Sequence, residues 1–209
     1  MKTVVGLILM VVVLSGIVVG CKSSQEKATY REVSLGRMML SIPGDWKRPE
    51  QHVQMREQPS HVSGLDLGQA MQSDFYVLPE SKDVLLELYV TDMERLFELQ
   101  GSAWESWGSL GADGVTKEQY SMTTSYRFAS SLGEDARKMH RRLPINGIIT
   151  WESRFSGQSK NIPVNINVLV IFANNHQGIL VLTVNEANWK KFKGTWEEIM
   201  GSVKFPSSP

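Results

Sequence analysis

Two consecutive segments near the C-terminus are apolar on both faces, and this constrains the fold more than any other feature. Val164, Ile166, Val168, Val170 and Phe172 alternate along one face of an extended segment. Leu169, Ile171 and Ala173 make its far half apolar on the opposite face too. Asn174-Asn175-His176-Gln177-Gly178 has turn composition, and Ile179 to Val184 is again apolar on both sides. Strands of this kind must be covered on both faces. The expected architecture is α+β: an antiparallel sheet covered by helices on both faces. The last covering element is legible directly. Trp189, Phe192, Trp196, Ile199, Met200 and Val203 form one helical stripe, with Lys190, Lys191, Lys193, Glu197 and Glu198 opposite.

The other end of the chain reads as an export signal. Lys2 precedes an apolar run from Val4 to Val19, interrupted only by Gly and Ser. The run is short for a membrane-spanning helix, which usually needs ~20 residues. It ends in Val18-Val19-Gly20-Cys21, which resembles the lipobox of bacterial lipoproteins. That resemblance implies cleavage before Cys21 and lipidation of its thiol by diacylglyceryl, with further acylation such as palmitate on the new amino group. Cys21 is the single cysteine, so no intramolecular disulfide forms. Lys22 rather than Asp follows it. By enterobacterial sorting this implies the outer membrane, facing the periplasm, rather than the inner membrane. The expected organisation is a signal peptide over 1–20, a lipidated tether over 21–29 and one domain over 30–209. At 42% apolar residues that domain can bury a core, and a net charge of +0 gives no global pull toward nucleic acid.

Between these ends the pattern is more mixed. Tyr30 to Ile42 reads as a strand pair turning at Gly36, stopped by Pro43-Gly44-Asp45-Trp46. Residues 51–72 read as loop, with a short helix over 67–72. Phe75–Leu78 and Val84–Val90 read as a hairpin. Thr91-Asp92-Met93-Glu94 has the form of a capping box, opening a helix through Met93, Leu96, Phe97, Trp104 and Trp107 to Gly108 and Gly111. Tyr120, Met122, Thr124, Tyr126 and Phe128 alternate with polar residues, which predicts a half-exposed strand. Ser130 to Leu143 has no readable period. Gly147–Phe155 reads as a strand, and Gly157–Pro163 as a polar loop.

Met39-Leu40-Ser41-Ile42-Pro43-Gly44-Asp45-Trp46, together with the closing unit Gly178 to Phe205, resembles the PsbP-like superfamily and its envelope lipoproteins. The resemblance brackets most of the mature chain, with 51–143 matching only in outline. It implies an antiparallel sheet between helical layers, and non-catalytic work as an accessory or binding subunit. Fold alone does not choose among such roles.

No motif carries chemistry. His52, His61, His140 and His176 are scattered, without metal-ligand spacing. No nucleophile elbow or phosphate loop is present. Gly111-Ala112-Asp113-Gly114 lacks the downstream ligands of a calcium loop. No catalytic residue, metal or cofactor is assigned. The single concentration of charge is Arg137, Lys138, Arg141 and Arg142 around His140. It is either a solvated mixed-charge face, since Glu134 and Asp135 precede it, or a contact for an anionic partner. The leading expectation is therefore a lipid-anchored envelope protein, not an enzyme, whose partners are the membrane through Cys21 and an unknown envelope protein, with no nucleic acid. The alternatives are a small-ligand carrier and an enzyme whose site is assembled from distant residues.

Overall fold

The computed structural model describes residues 29–49, 71–99, 115–132, 136–173 and 175–206. Cys21, the leader, Trp104, Trp107, Glu134 and Asp135 lie outside them. A hairpin of β1 (Tyr30–Leu35) and β2 (Met38–Pro43) comes first. β3 (Met71–Leu78) and β4 (Ser81–Asp92) follow, then α1 (Met93–Leu99) and α2 (Val115–Phe128). β5 (Arg137–Arg142), β6 (Ile149–Ser159), β7 (Ile162–Ala173) and β8 (His176–Asn185) complete the strands. A 3-10 turn over Glu186–Asn188 leads into α3 (Trp189–Gly201).

The main sheet has the order β3-β4-β8-β7-β6-β5, and every neighbouring pair is antiparallel. The two-sided hairpin thus lies in the middle, in register Val168–Val181 and Leu169–Leu180. Strand alternation sends its side chains into two separate cores. Leu169, Ile171, Leu180 and Leu182 pack with Phe192, Trp196, Ile199 and Met200 of α3 and with Met38, Leu40 and Ile42 of β2. Ile166, Val168, Val170 and Val181 pack with Met93 and Leu96 of α1 and with Phe128 of α2.

The two segments that carry the family resemblance meet in the first core. Trp46, fixed by a turn from its amide to the Pro43 carbonyl at 3.2 Å, sets its ring edge against Phe192 at 6.4 Å between centroids. The C-terminal tail then pairs with β2 through Met39 N–H to Lys204 O at 2.9 Å and Lys204 N–H to Met39 O at 2.8 Å. Gly178 on β8 permits this closure: a Cβ there would stand 2.9 Å from Phe205 and 3.0 Å from the Met38 sulfur.

Several sequence expectations are corrected. Tyr120 to Phe128 is helix, not strand. The alternating pattern required Met122 and Tyr126 to share the buried face, yet both are 40% exposed. The buried set is Ser121, Thr124, Ser125 and Phe128, spaced three and four apart. A serine-rich face can be buried because Ser121 Oγ–H donates to the Glu118 carbonyl at 2.7 Å and Ser125 Oγ–H to that of Ser121 at 2.8 Å. The helix cap falls one residue later than expected. Asp92 Oδ1 accepts from the Arg95 amide at 3.0 Å, whereas Thr91 belongs to β4 and is buried. Met71 and Gln72 are strand, not helix; 51–70 lies outside the described residues. Gly157 to Pro163 is not loop: β6 runs to Ser159 and β7 starts at Ile162. Lys160 and Asn161, both at positive φ, turn the chain in two residues, as tight hairpins require.

Trp196 is fully buried beneath α3, while Lys193 sits on its solvent side, 3.8 Å from Glu197. Trp196→Ala is expected to cost ~3–5 kcal/mol, and Lys193→Ala to stay within about 0.5 kcal/mol of wild type. Urea denaturation of the two variants checks this; equal midpoints would contradict the packing described.

Candidate functional site

The basic run forms β5, the edge strand of the sheet, and alternation divides it. Lys138 and Arg142 register with Phe155 and Trp151, on the α2 side. Arg141 registers with Glu152, on the α3 side. The side chain of Arg137 lies outside what the structure describes. The four residues therefore do not make one patch. Lys138 places its ammonium 4.9 Å from the centre of the Tyr126 ring. Arg142 is exposed. Arg141 is committed to structure.

Its partner, Glu152, is 0% exposed. Arg141 Nη2 reaches Glu152 Oε2 at 2.6 Å, Arg154 Nη2 reaches Oε1 at 2.7 Å, and the Trp196 indole N–H donates to Oε1 at 3.1 Å. Arg154 in turn lies 5.3 Å from the Trp189 ring centre. One carboxylate thus ties edge strand, sheet and terminal helix together. Both its oxygens accept charge-assisted hydrogen bonds, so it is a structural anion and not an exposed acid or base.

A second concentration of charge arises where three segments converge. An open groove of about 460 Å³ is lined by Arg31 and Glu32 of β1, Lys47 and Arg48 beyond the Trp46 turn, and Tyr76 of β3. Tyr76 is buried. The Arg31 and Arg48 guanidinium carbons lie 5.5 and 5.9 Å from the Tyr76 ring centre. Arg31 also donates to the Trp46 carbonyl at 2.8 Å, and Arg48 pairs with Asp74 at 2.6 Å. The Tyr76 hydroxyl donates to the same Asp74 oxygen at 2.7 Å; burial first, then this carboxylate, pushes the phenol pKa up. Lys47 is held by a two-way backbone bridge to Val77, 2.9 Å each way. Arg31, Lys47 and Arg48 line the groove beside Glu32, and Asp74 offsets Arg48, which leaves a small net positive charge suited to an anionic group. None of these residues stood out in the sequence, because the groove exists only once β1, the Trp46 turn and β3 are side by side.

No protein-family model matches the chain, and neither does any curated protein sequence. Among solved structures, the cyanobacterial PsbP (CyanoP) of Synechocystis sp. PCC 6803 superimposes with a TM-score of 0.52 at 10% identity, over 90% of this chain and 99% of that one. The fold is PsbP-like. A protein of unknown function and putative regulator from Pseudomonas aeruginosa aligns with a TM-score of 0.45 at 12% identity, over 86% of this chain and 99% of that one. LpqN of Mycobacterium tuberculosis, involved in cell envelope biogenesis, aligns with a TM-score of 0.39 at 11% identity, over 86% and 92% of the two chains.

Within this PsbP-like domain the Glu152 carboxyl has a direction of titration that follows from its neighbours. Burial acts to raise its pKa, but the bonds from Arg154, Trp196 and Arg141 together outweigh burial and leave it below the ordinary glutamate value. A depressed folded-state pKa gives stability that is fully present above the unfolded value of about 4.3 and is lost as pH falls through the folded value. Glu152→Gln is expected to cost about 1.5–3 kcal/mol at neutral pH and to flatten the acid limb of stability below about pH 4.3. Denaturation midpoints measured between neutral and acid pH check this; an unchanged acid limb in Glu152→Gln would contradict it.

Proposed function

We propose that this chain is a lipid-anchored cell-envelope protein whose PsbP-like domain is a non-catalytic binding module for an anionic envelope partner. In this reading the domain is an α/β/α sandwich, with α3 over one face of the sheet and α1 and α2 over the other. The observation that carries the proposal is the position of the Arg31–Lys47–Arg48 groove. It opens two residues beyond Thr29, whose carbonyl is pinned by the Gly44 amide at 2.7 Å. The eight residues Lys22 to Thr29 span at most ~3.5 Å each, so an anchor on Cys21 would hold the groove close above the membrane. Near an anionic surface each basic side chain is worth about 1 kcal/mol. No described helix is long and apolar enough to cross a membrane. The attachment to lipid through Cys21 rests on the lipobox resemblance of Val18-Val19-Gly20-Cys21. Two or more acyl chains hold a protein stably. The absence of Asp after Cys21 favours the outer membrane, facing the periplasm.

The β5 run is a second, weaker contact in this scheme. Arg141 is engaged with Glu152, which leaves Arg142 and Lys138 to face a partner on the α2 side.

Two experiments test the proposal. Growth on a labelled fatty acid should mark the wild-type protein and leave Cys21→Ala unlabelled and uncleaved; equal labelling of both would sink the anchor. A photo-reactive residue placed at Lys47 in intact cells should yield a discrete adduct that disappears in Arg31→Glu, while the same probe at Lys160 gives less or none. Indistinguishable adducts at Lys47 and Lys160 would remove the groove from the account.

A further inference from the structure

β5 ends the sheet, and among the described residues only β6 pairs with it. The Ile145 and Ile148 amides each donate to the other's carbonyl, at 3.2 and 2.8 Å, and the Leu143 amide donates to the Thr150 carbonyl at 3.0 Å. Antiparallel pairs alternate between bonded and non-bonded positions. Continued along the strand, that alternation turns the backbone groups of Arg137, Met139 and Arg141 to β6 and those of Lys138, His140 and Arg142 away from the sheet. Each of these last three offers one N–H and one C=O to an incoming strand. Their side chains lie on the α2 side, in register with Phe155, Ser153 and Trp151. α2 flanks them with Glu118, Met122 and Tyr126, spaced four residues apart on one stripe. The Tyr126 ring lies 5.5 Å from that of Phe155 and 4.9 Å from the Lys138 ammonium. At the other end of the stripe is Glu118, opposite His140: burial lowers the imidazole pKa, and the Glu118 charge opposes that. Met122 falls between. Met122 and Tyr126 are two of the three large apolar side chains exposed among the described residues, so the free edge has an apolar shelf beside it.

We infer that the free edge of β5 is a docking site for an extended acidic segment of a partner protein, which adds to the sheet as a further antiparallel strand. This rests on the reading of β5 as a partner contact and names the partner's chemistry there. Main-chain bonds hold a strand added in this way, and alternate side chains select it. The residues opposite Lys138 and Arg142 meet exposed cations, which selects acids at both places. The residue opposite His140 comes over Met122 and near Glu118, which selects an apolar side chain and disfavours an acid. The preferred pattern is therefore acidic, any, apolar, any, acidic. A second copy of this chain does not fit. Antiparallel self-pairing centred on His140 would set Lys138 against Arg142, like charges directly opposite. A lipid headgroup would answer the cations and leave the outward N–H and C=O groups without strand partners. The edge shares no residue with the groove of Arg31, Lys47 and Arg48.

The test uses the full-length protein in a non-ionic detergent and a fluorescein-labelled peptide, Ser-Glu-Thr-Val-Thr-Glu-Ser, read by fluorescence anisotropy. The peptide should bind saturably, and the form with both Glu replaced by Lys should not. Methylating the Val amide nitrogen, which points at His140 in this register, should weaken binding by about tenfold. Methylating the nitrogen of either neighbouring Thr, which points away from β5, should leave it unchanged. These peptides are read on the wild-type protein, so the result does not depend on any variant folding. Lys138→Gln with Arg142→Gln should weaken the acidic peptide by about tenfold, and Lys138→Glu with Arg142→Glu should reverse the preference toward the Lys peptide. Amide exchange at Lys138, His140 and Arg142 should slow when the acidic peptide is bound. Arg31→Glu, in the groove, should bind the peptide as wild type does, so failure at the edge and failure at the groove are separate results. Four outcomes would overturn the inference: no saturable binding of the acidic peptide; equal binding of the two methylated forms, which is attraction by charge alone as a headgroup would give; unaltered exchange at the three β5 amides; or loss of binding in Arg31→Glu, which would place the peptide in the groove.

Discussion

The rest of the structure depends on the burial of the β7–β8 hairpin from both sides. Its residues alternate between two apolar cores, so neither strand is stable with one face wet. Each remaining element answers that requirement. α3, β2 and the C-terminal tail cover Leu169, Ile171, Leu180 and Leu182, while α1 and α2 residues cover Val168, Val170 and Val181. The sheet extends outward from the hairpin by antiparallel pairing until it ends in β3 and β5. Both ends of the domain close over the same face, where Trp46 from the N-terminal segment meets Phe192 from the last helix.

A single carboxylate moderates this apolar design. Glu152 is placed where β5, β6 and α3 converge, and Arg141, Arg154 and the Trp196 indole satisfy it. Replacing such a cluster with apolar residues is often neutral in energy, whereas removing one partner from it is costly. Its consequence is positional. It fixes the register of an edge strand that has little apolar surface of its own, and it orients Trp196 within the core.

The parts of the fold legible in the sequence are those whose burial follows a simple period. The central hairpin, α3 and the β1–β2 pair read correctly because apolar side chains mark their faces, and Gly36 or Asn175 marks their turns. The sequence pattern over α2 predicts strand because the helix's buried face includes Ser121, Thr124 and Ser125, which hydropathy counts as polar. The hydroxyls of Ser121 and Ser125 are satisfied within the helix itself. β5 has no readable period because four of its six residues are charged and only Met139 is apolar, a common composition for an exposed sheet edge. Its basic residues looked like one patch in the sequence and are split by strand alternation in the structure. The groove of Arg31, Lys47, Arg48 and Tyr76 could not be read at all. It brings together residues from segments far apart in the chain, and no local spacing records that meeting.

The β7–β8 hairpin should be the last element to lose its structure, since both cores are built on it. Native-state hydrogen exchange measures this directly, residue by residue. The amides of Val168, Leu169, Leu180 and Val181 should exchange slowest of all, and only through global unfolding. Those of β5, β3 and β1 should exchange sooner through local opening. Protection in β5 or in the β1–β2 hairpin that outlasts protection at Leu169 and Leu180 would contradict it.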